Sequence, residues 1–288
     1  MIAETAPAKI NLYLHVGPLR SDGLHELASL FVFTEDGDRV WASQSDALTL
    51  RVTGPFGGQI KTVKNEDNLV WRAAELLRNE TGVSHGAAIT LEKNLPVAAG
   101  VGGGSSDAAA ALRALIKLWS IEISDAVLSR LAFSLGADVP ACLRRAPVNV
   151  SGAGEHLEKG PHLPPLWCCL MNPGVAMPTG PVFRAFDTAH SSPPPPQTMR
   201  LHNPDYASLV SALEKTRNDL EPFALEYAPI IHEVISILRR TPGALAARMS
   251  GSGATCFALF SSAAASIRAQ ANARARGWWA MASRLHVR

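Results

Sequence analysis

Pro96-Val97-Ala98-Ala99-Gly100-Val101-Gly102-Gly103-Gly104-Ser105-Ser106-Asp107-Ala108-Ala109-Ala110 lies between two segments of different periodicity. Before it, Ala88 to Glu92 alternates, with Ile89 and Leu91 on one face and Thr90 and Glu92 on the other, the pattern of a strand. After it, Leu112, Leu115, Ile116 and Trp119 fall at i, i+3, i+4 and i+7, the pattern of a helix. The glycine loop between them ends in Ser105-Ser106-Asp107, residue types that cap helices. Glycines let backbone N–H groups converge on one point, and the positive helix end adds to the attraction for a phosphate chain. The alanines that follow let the helix sit close to its neighbours.

Two familiar phosphate loops are excluded. A P-loop needs a lysine after its last glycine, and none follows here. A dinucleotide fingerprint needs Gly or Ala where Ser105 stands, so Gly100-x-Gly102-x-x-Ser105 misses it by one residue. The loop is a phosphate cradle of another design, or a hinge before a helix.

Outward from this stretch, composition narrows the field. The 288 residues are enough for two domains, and 47% hydrophobic content implies folded cores. With 27 basic against 25 acidic residues, there is no general attraction for nucleic acid or an anionic membrane. Cys142, Cys168, Cys169 and Cys256 form no C-x-x-C pair and no zinc pattern, so no metal site is expected, and reduced buried thiols fit a cytoplasmic protein. Glu4 and Lys9 interrupt the apolar start, so no signal-peptide core is expected. No apolar run reaches the roughly 18–20 residues that span a bilayer.

Upstream, Ile10, Leu12, Leu14 and Val16 alternate with Asn11, Tyr13 and His15 as a strand. The same period puts Lys9 and Asn11 on one side; a lysine at a strand start is usually solvated or guards an edge. Ser21-Asp22-Gly23 marks a turn before His25, Leu30 to Phe33 and Leu48 to Thr53 read as strands, and Asn68 to Arg78 reads as a helix.

Downstream, Ser124 caps a helix through Leu135, closed by Gly136 as a C′ residue. Asp138 then caps a further helix with Pro140 in its first turn, a role that leaves catalysis open. Pro161, Pro164 and Pro165 mark a boundary near residues 150 to 165, giving an N-terminal domain over 1–155 and an α+β C-terminal domain over 156–288. In the second domain Trp167 to Met171 reads as a strand, and Pro193 to Pro196 as a surface loop. Helices are expected at about Asp205 to Arg217 and Pro229 to Arg240. Strands Leu245 to Met249 and Thr255 to Phe260 should flank Gly251-Ser252-Gly253, with a final helix and strand after them.

Three separated segments, Ala6-Pro7-Ala8-Lys9-Ile10-Asn11-Leu12, Pro96 through Ser106, and Ser250-Gly251-Ser252-Gly253-Ala254, resemble the three signature motifs of the GHMP kinases, in their order and at matching intervals. Further likenesses lie in Ser21 to His25, Gly136 to Pro140 and Asn218 to Glu221. The resemblance implies a two-domain α+β kinase using ATP and Mg²⁺, with its active site at the domain junction. It also implies that the acceptor is the 2-hydroxyl of a cytidine-diphosphate-linked methylerythritol, in the non-mevalonate route to isoprenoid precursors. Pro96, Val97, Ala98, Ala99, Gly100, Val101, Gly102, Gly103, Gly104, Ser105 and Ser106 would then wrap the ATP phosphates, supported by Gly251, Ser252 and Gly253. Asp138 would be the base and Lys9 its cationic partner, while Asn11, His25, Thr179 and Phe183 would bind the substrate. The partners implied are small molecules, with the chain a monomer or weak homodimer. Leu24 departs from the pattern, since the family usually has an aromatic residue there to stack on the cytosine. Other family kinases, acting on homoserine, mevalonate or a sugar, and a silent nucleotide-binding regulator are the rival readings.

Overall fold

The structure is a computed structural model and describes residues 1–60 and 64–288. Helices and strands mix in an α+β arrangement, with the chain packed as two units. One comprises Met1–Ala8, Asp36–Val97 and Gly102–Arg145; the other comprises Lys9–Glu35, Ala98–Val101 and Ala146–Arg288.

The alternation at Ile10–Val16 and the apolar run Leu30–Phe33 lie within two long strands, β1 (Ile2–Leu19) and β2 (His25–Ser45), which pair with each other. In the first unit β3 (Thr49–Thr53) is followed by α1 (Leu69–Thr81), whose N-cap Asn68 accepts a hydrogen bond from the amide of Val70. β4 (Gly86–Glu92) pairs with β3 in parallel and with residues 39–45 of β2 in antiparallel register. Ile89 and Leu91 are buried as their alternation requires.

Helix α2 (Gly103–Leu118) begins earlier than its sequence suggests. Gly102, at φ +62°, is the N-cap, so Ser105, Ser106 and Asp107 lie inside the first turns and cap nothing. A left-handed turn at Gly102 costs a glycine little, and it brings the following glycines into the helix. Ala108 to Ala111 are fully buried and let α2 pack closely on α1 and on α4 (Val139–Arg144). Between them α3 (Asp125–Leu135) is capped by Ser124 as expected. Gly136 ends it in an extended conformation at φ 160°, as the C-cap instead of a left-handed C′ residue. Buried Glu4 ties the start of β1 to α2 through Arg113 at 3.0 Å and Lys117 at 2.5 Å, and also meets Arg145 at 3.3 Å. Burial opposes ionisation of Glu4, but hydrogen bonds from Lys117 and Arg113 outweigh it and hold the carboxyl below its ordinary range.

In the second unit β5 (Val148–Gly152) pairs with residues 27–31 of β2 and with β6 (His156–Lys159). β7 (Trp167–Asn172) is followed by α5 (Thr179–Ala189), α6 (Tyr206–Glu214), α7 (Glu221–Tyr227) and α8 (Ile230–Arg240). β8 (Ala244–Met249), β9 (Cys256–Phe260), α9 (Ala263–Arg274) and β10 (Trp279–His286) complete the chain. These strands run β2-β10-β7-β9-β8, antiparallel where paired. The apolar stripe of α8, Ile231, Val234, Ile235 and Leu238, is buried in one core with Leu14, Met171, Phe186 and Phe260. All four cysteines are buried, and none forms a disulfide among the described residues. Among the described residues no helix is long and apolar enough to cross a membrane.

Candidate active site

Within the second unit, segments far apart in sequence are tied into one hydrogen-bonded knot. The amide of Lys9 donates to the carbonyl of Val101 at 2.8 Å, and the amide of Thr255 to that of Ala99 at 3.2 Å. The Ser250 hydroxyl donates to the carbonyl of Gly100 at 3.0 Å and accepts from the amide of Asn11 at 3.2 Å. Gly100 has no alternative there: at φ +76° its Cβ would stand 2.4 Å from the carbonyl oxygen of Ser250. Ala98 also adopts a left-handed φ, 51°, without being a glycine. Such strained backbone clusters at ligand-binding loops.

Lys9 is buried, not solvated. Its Nζ donates to Asn11 Oδ1 at 3.0 Å and lies 4.0 Å above the Phe31 ring, so an amide dipole and a π face offset part of the cost of burying an ammonium. Asn11 is held by its Nδ2 donating to Ser29 Oγ at 3.0 Å. The third motif has its own brace. Asn218 Nδ2 donates to the carbonyls of Met249 and Gly251 at 3.0 and 2.8 Å, and Glu221 accepts from the amide of Met249 at 2.9 Å. Thr179 Oγ1, at the start of α5, lies 3.0 Å from Ser252 Oγ, and His25 stacks on Phe183. This unit thus gathers Lys9, Asn11, His25, Ala98 to Val101, Thr179, Phe183 and Gly251 to Gly253.

The first unit holds the remainder of the glycine loop, from Gly102 to Ser106, with Pro96, Val97 and Asp138. No side chain caps α2, so its opening N–H groups keep their attraction for an anion. Ser105 is half-buried, whereas Ser106 is fully buried with its Oγ lacking any hydrogen-bond partner among the described residues. Asp138 occupies the N-cap position of α4, yet its side chain makes no capping bond.

Beneath the start of α2 lies a buried charge cluster that the sequence did not reveal. Lys93 Nζ binds Asp107 Oδ2 at 2.7 Å and also Asp38 Oδ2. Asp38 Oδ1 in turn accepts from the amides of Asn94 and, at 2.8 Å, Leu95. Burial pushes the Asp107 carboxyl up to about 8, with Lys93 working against the shift and Asp38 adding to it. Desolvation pulls the Lys93 ammonium down, but the two carboxylates prevail and hold it above its ordinary value. The cluster joins β2, the segment after β4 and α2, and so fixes where the helix begins. A lysine beside a strand end and an aspartate after two serines carry no local mark of such pairing.

A model of the GHMP kinases N terminal domain matches residues 68–145, and one of the GHMP kinases C terminal domain matches residues 201–277. The chain is 46% identical to 4-diphosphocytidyl-2-C-methyl-D-erythritol kinase of Paramagnetospirillum magneticum, over 95% of each chain. It is 48% identical to the kinase of that name from Parvibaculum lavamentivorans, over 96% of each. A crystal structure of 4-(cytidine 5'-diphospho)-2C-methyl-D-erythritol kinase matches with a TM-score of 0.78 at 35% identity, covering 99% of both chains. Homoserine kinase from Cytophaga hutchinsonii matches at 0.73 with 20% identity over 99% of this chain and 94% of that one, a likeness of fold alone.

Proposed function

The chain belongs to the GHMP kinase family, and we propose that it transfers the γ-phosphoryl group of ATP to the 2-hydroxyl of 4-diphosphocytidyl-2-C-methyl-D-erythritol, a step of non-mevalonate isoprenoid precursor synthesis. The observation that carries this reading is identity near 46% along almost the full chain to kinases named for that substrate. The knot joining Lys9, Gly100 and Ser250 supports it, because binding a nucleotide needs those motifs in register.

Phosphoryl transfer asks for positioning and neutralised charge. In the proposed site Pro96 to Ser106 wrap the phosphates, and the uncapped start of α2 supplies N–H groups to them. The orphaned Ser106 hydroxyl and the more accessible Ser105 suit a polyphosphate and its metal. Mg²⁺, when bound with the nucleotide, water and Ser105, would neutralise phosphate charge. Asp138, at the N-cap position of α4, accepts the proton of the attacking hydroxyl. Lys9, positioned by Asn11 and Phe31, supplies positive charge to the transferred group. Asn11, His25, Thr179 and Phe183 bind the cytidine-linked acceptor. Residues 1–155 carry the ATP-binding loop with Lys9 and Asp138, and residues 156–288 carry Thr179 and Phe183 of the substrate site, in a cytoplasmic enzyme acting as a monomer or weak homodimer.

Incubation with ATP, Mg²⁺ and 4-diphosphocytidyl-2-C-methyl-D-erythritol should yield a product heavier by one phosphoryl group. Turnover of homoserine, mevalonate or a sugar in its place would move the enzyme elsewhere in the family. Nucleotide binding without turnover of any alcohol would make the chain a regulator.

A further inference from the structure

Of the three cations that meet buried Glu4, Arg113 does more than neutralise it. Its guanidinium is divided among three acceptors, two on β1 and one on α4. Nε donates to Glu4 Oε2 at 3.0 Å, Nη2 to the carbonyl of Thr5 at 2.8 Å, and Nη1 to the carbonyl of Cys142 at 3.1 Å. The side chain is only 12% exposed, so little water competes for these bonds. A planar guanidinium presents five N–H donors in fixed directions, a fork that no other side chain reproduces.

Cys142 is the link to Asp138. Its carbonyl accepts from Arg113, and its amide donates to the carbonyl of Asp138 at 3.1 Å. Helix α4 has six residues, with Asp138 at its N-cap position. A helix that short has little stability of its own and takes its place from what holds it. Its last carbonyls have no acceptor role within the helix, and Arg113 satisfies one of them. Arg145 then leaves α4 in a left-handed turn at φ 50° and brings Nη1 to Glu4 Oε2 at 3.3 Å. The far end of α4 is thereby fastened to β1 and α2, one turn away from Asp138.

We propose that Arg113 is a positioning residue for Asp138: by holding the Cys142 peptide it fixes the height and rotation of α4, and so the place of the carboxylate that receives the acceptor's proton. This rests on the reading of Asp138 as the base. Misplacing a reacting group by about 1 Å can cost on the order of 10²-fold in rate. Lys117 is the natural comparison. It also reaches Glu4, at Oε1 and 2.5 Å, but it is 58% exposed and makes no hydrogen bond to α4 among the described residues.

The test is a double-mutant cycle: Arg113→Met, Lys117→Met and Arg113→Lys, each in the wild-type and Asp138→Asn backgrounds, with kcat, both KM values and Tm measured. Arg113→Met is expected to lower kcat about tenfold or more, with KM for ATP and for the cytidine substrate within about twofold. The same change in the Asp138→Asn background should cost less than about twofold, because the group it positions is already disabled. Arg113→Lys, which keeps the charge beside Glu4 but not the fork, should show a smaller loss with the same dependence on Asp138, and it serves if the methionine variant fails to fold. Lys117→Met should leave kcat within about twofold. An unchanged kcat in both Arg113 variants overturns the proposal, as does a loss of equal size in the two backgrounds or an equal loss in Lys117→Met. Asp138→Asn turning over near the wild-type rate overturns the base reading itself, and the clamp with it.

Discussion

Ser250 donates its hydroxyl to the carbonyl oxygen of Gly100, 150 residues away in sequence, at 3.0 Å. The Ser250 hydroxyl oxygen itself accepts from the amide of Asn11, so one hydroxyl holds the first strand and the glycine loop in register. Ser250→Ala leaves two buried backbone groups without this partner. The expected loss is about 1–3 kcal/mol in urea unfolding, with a higher KM for ATP as the loop loosens. Unchanged stability and KM would make the knot incidental.

Gly102 turns the chain at φ +62° into α2. Gly102→Val should cost about 1–3 kcal/mol of backbone strain and weaken ATP binding by tenfold or more, because the N–H groups of the first turn shift. Calorimetric titration with ATP checks this, and wild-type affinity would reduce the loop to a hinge.

Asp138→Asn should lower kcat by about 10²–10⁴-fold, the usual contribution of a general base. The Tm should hold, since asparagine suits an N-cap as well as aspartate does and the wild-type side chain makes no capping bond. Turnover near the wild-type rate would remove Asp138 from the chemistry.

The buried Asp107 sets a pH dependence with a definite sign. Its carboxyl, at about 8 when folded against a reference of 3.8, binds its proton more tightly in the folded state. Between those values the native chain holds more protons than the unfolded one, so this group makes stability fall as pH rises toward 8. Lys93, raised from 10.5, stabilises throughout that window and loses its contribution only above it. Asp107→Asn stays neutral at every pH and should flatten the decline, by a few kcal/mol at most. Urea melts at pH 5 and pH 8.5 check this; equal pH slopes in variant and wild type would place the charge elsewhere.

Much of the architecture was legible because it is periodic. Ile89 and Leu91 announce β4, the stripe from Ile231 to Leu238 announces α8, and Ser124 announces α3, each through neighbours a few residues apart. Lys9 and Asn11 share a face by the strand period, and their side chains do meet at 3.0 Å. The start of α2 was misplaced because Ser105-Ser106-Asp107 carries the chemistry of a cap, while the actual cap depends on a backbone angle at Gly102. Helix α5 was missed, since Pro178 and Gly180 mask the spacing of Val182, Phe183 and Phe186.

Local chemistry in the chain was thus enough for the α+β class, most elements and the motifs that carry the kinase resemblance, since strand alternation, helix stripes and glycine turns act over a few residues. Folding alone decided that Lys9 is buried over Phe31, that Ser250 clamps Gly100, that Lys93 joins Asp38 to Asp107, and that Arg113 holds the carbonyl of Cys142. Each of those contacts brings together residues well separated along the chain. Their energies come from burial and hydrogen-bond geometry, which no local pattern encodes.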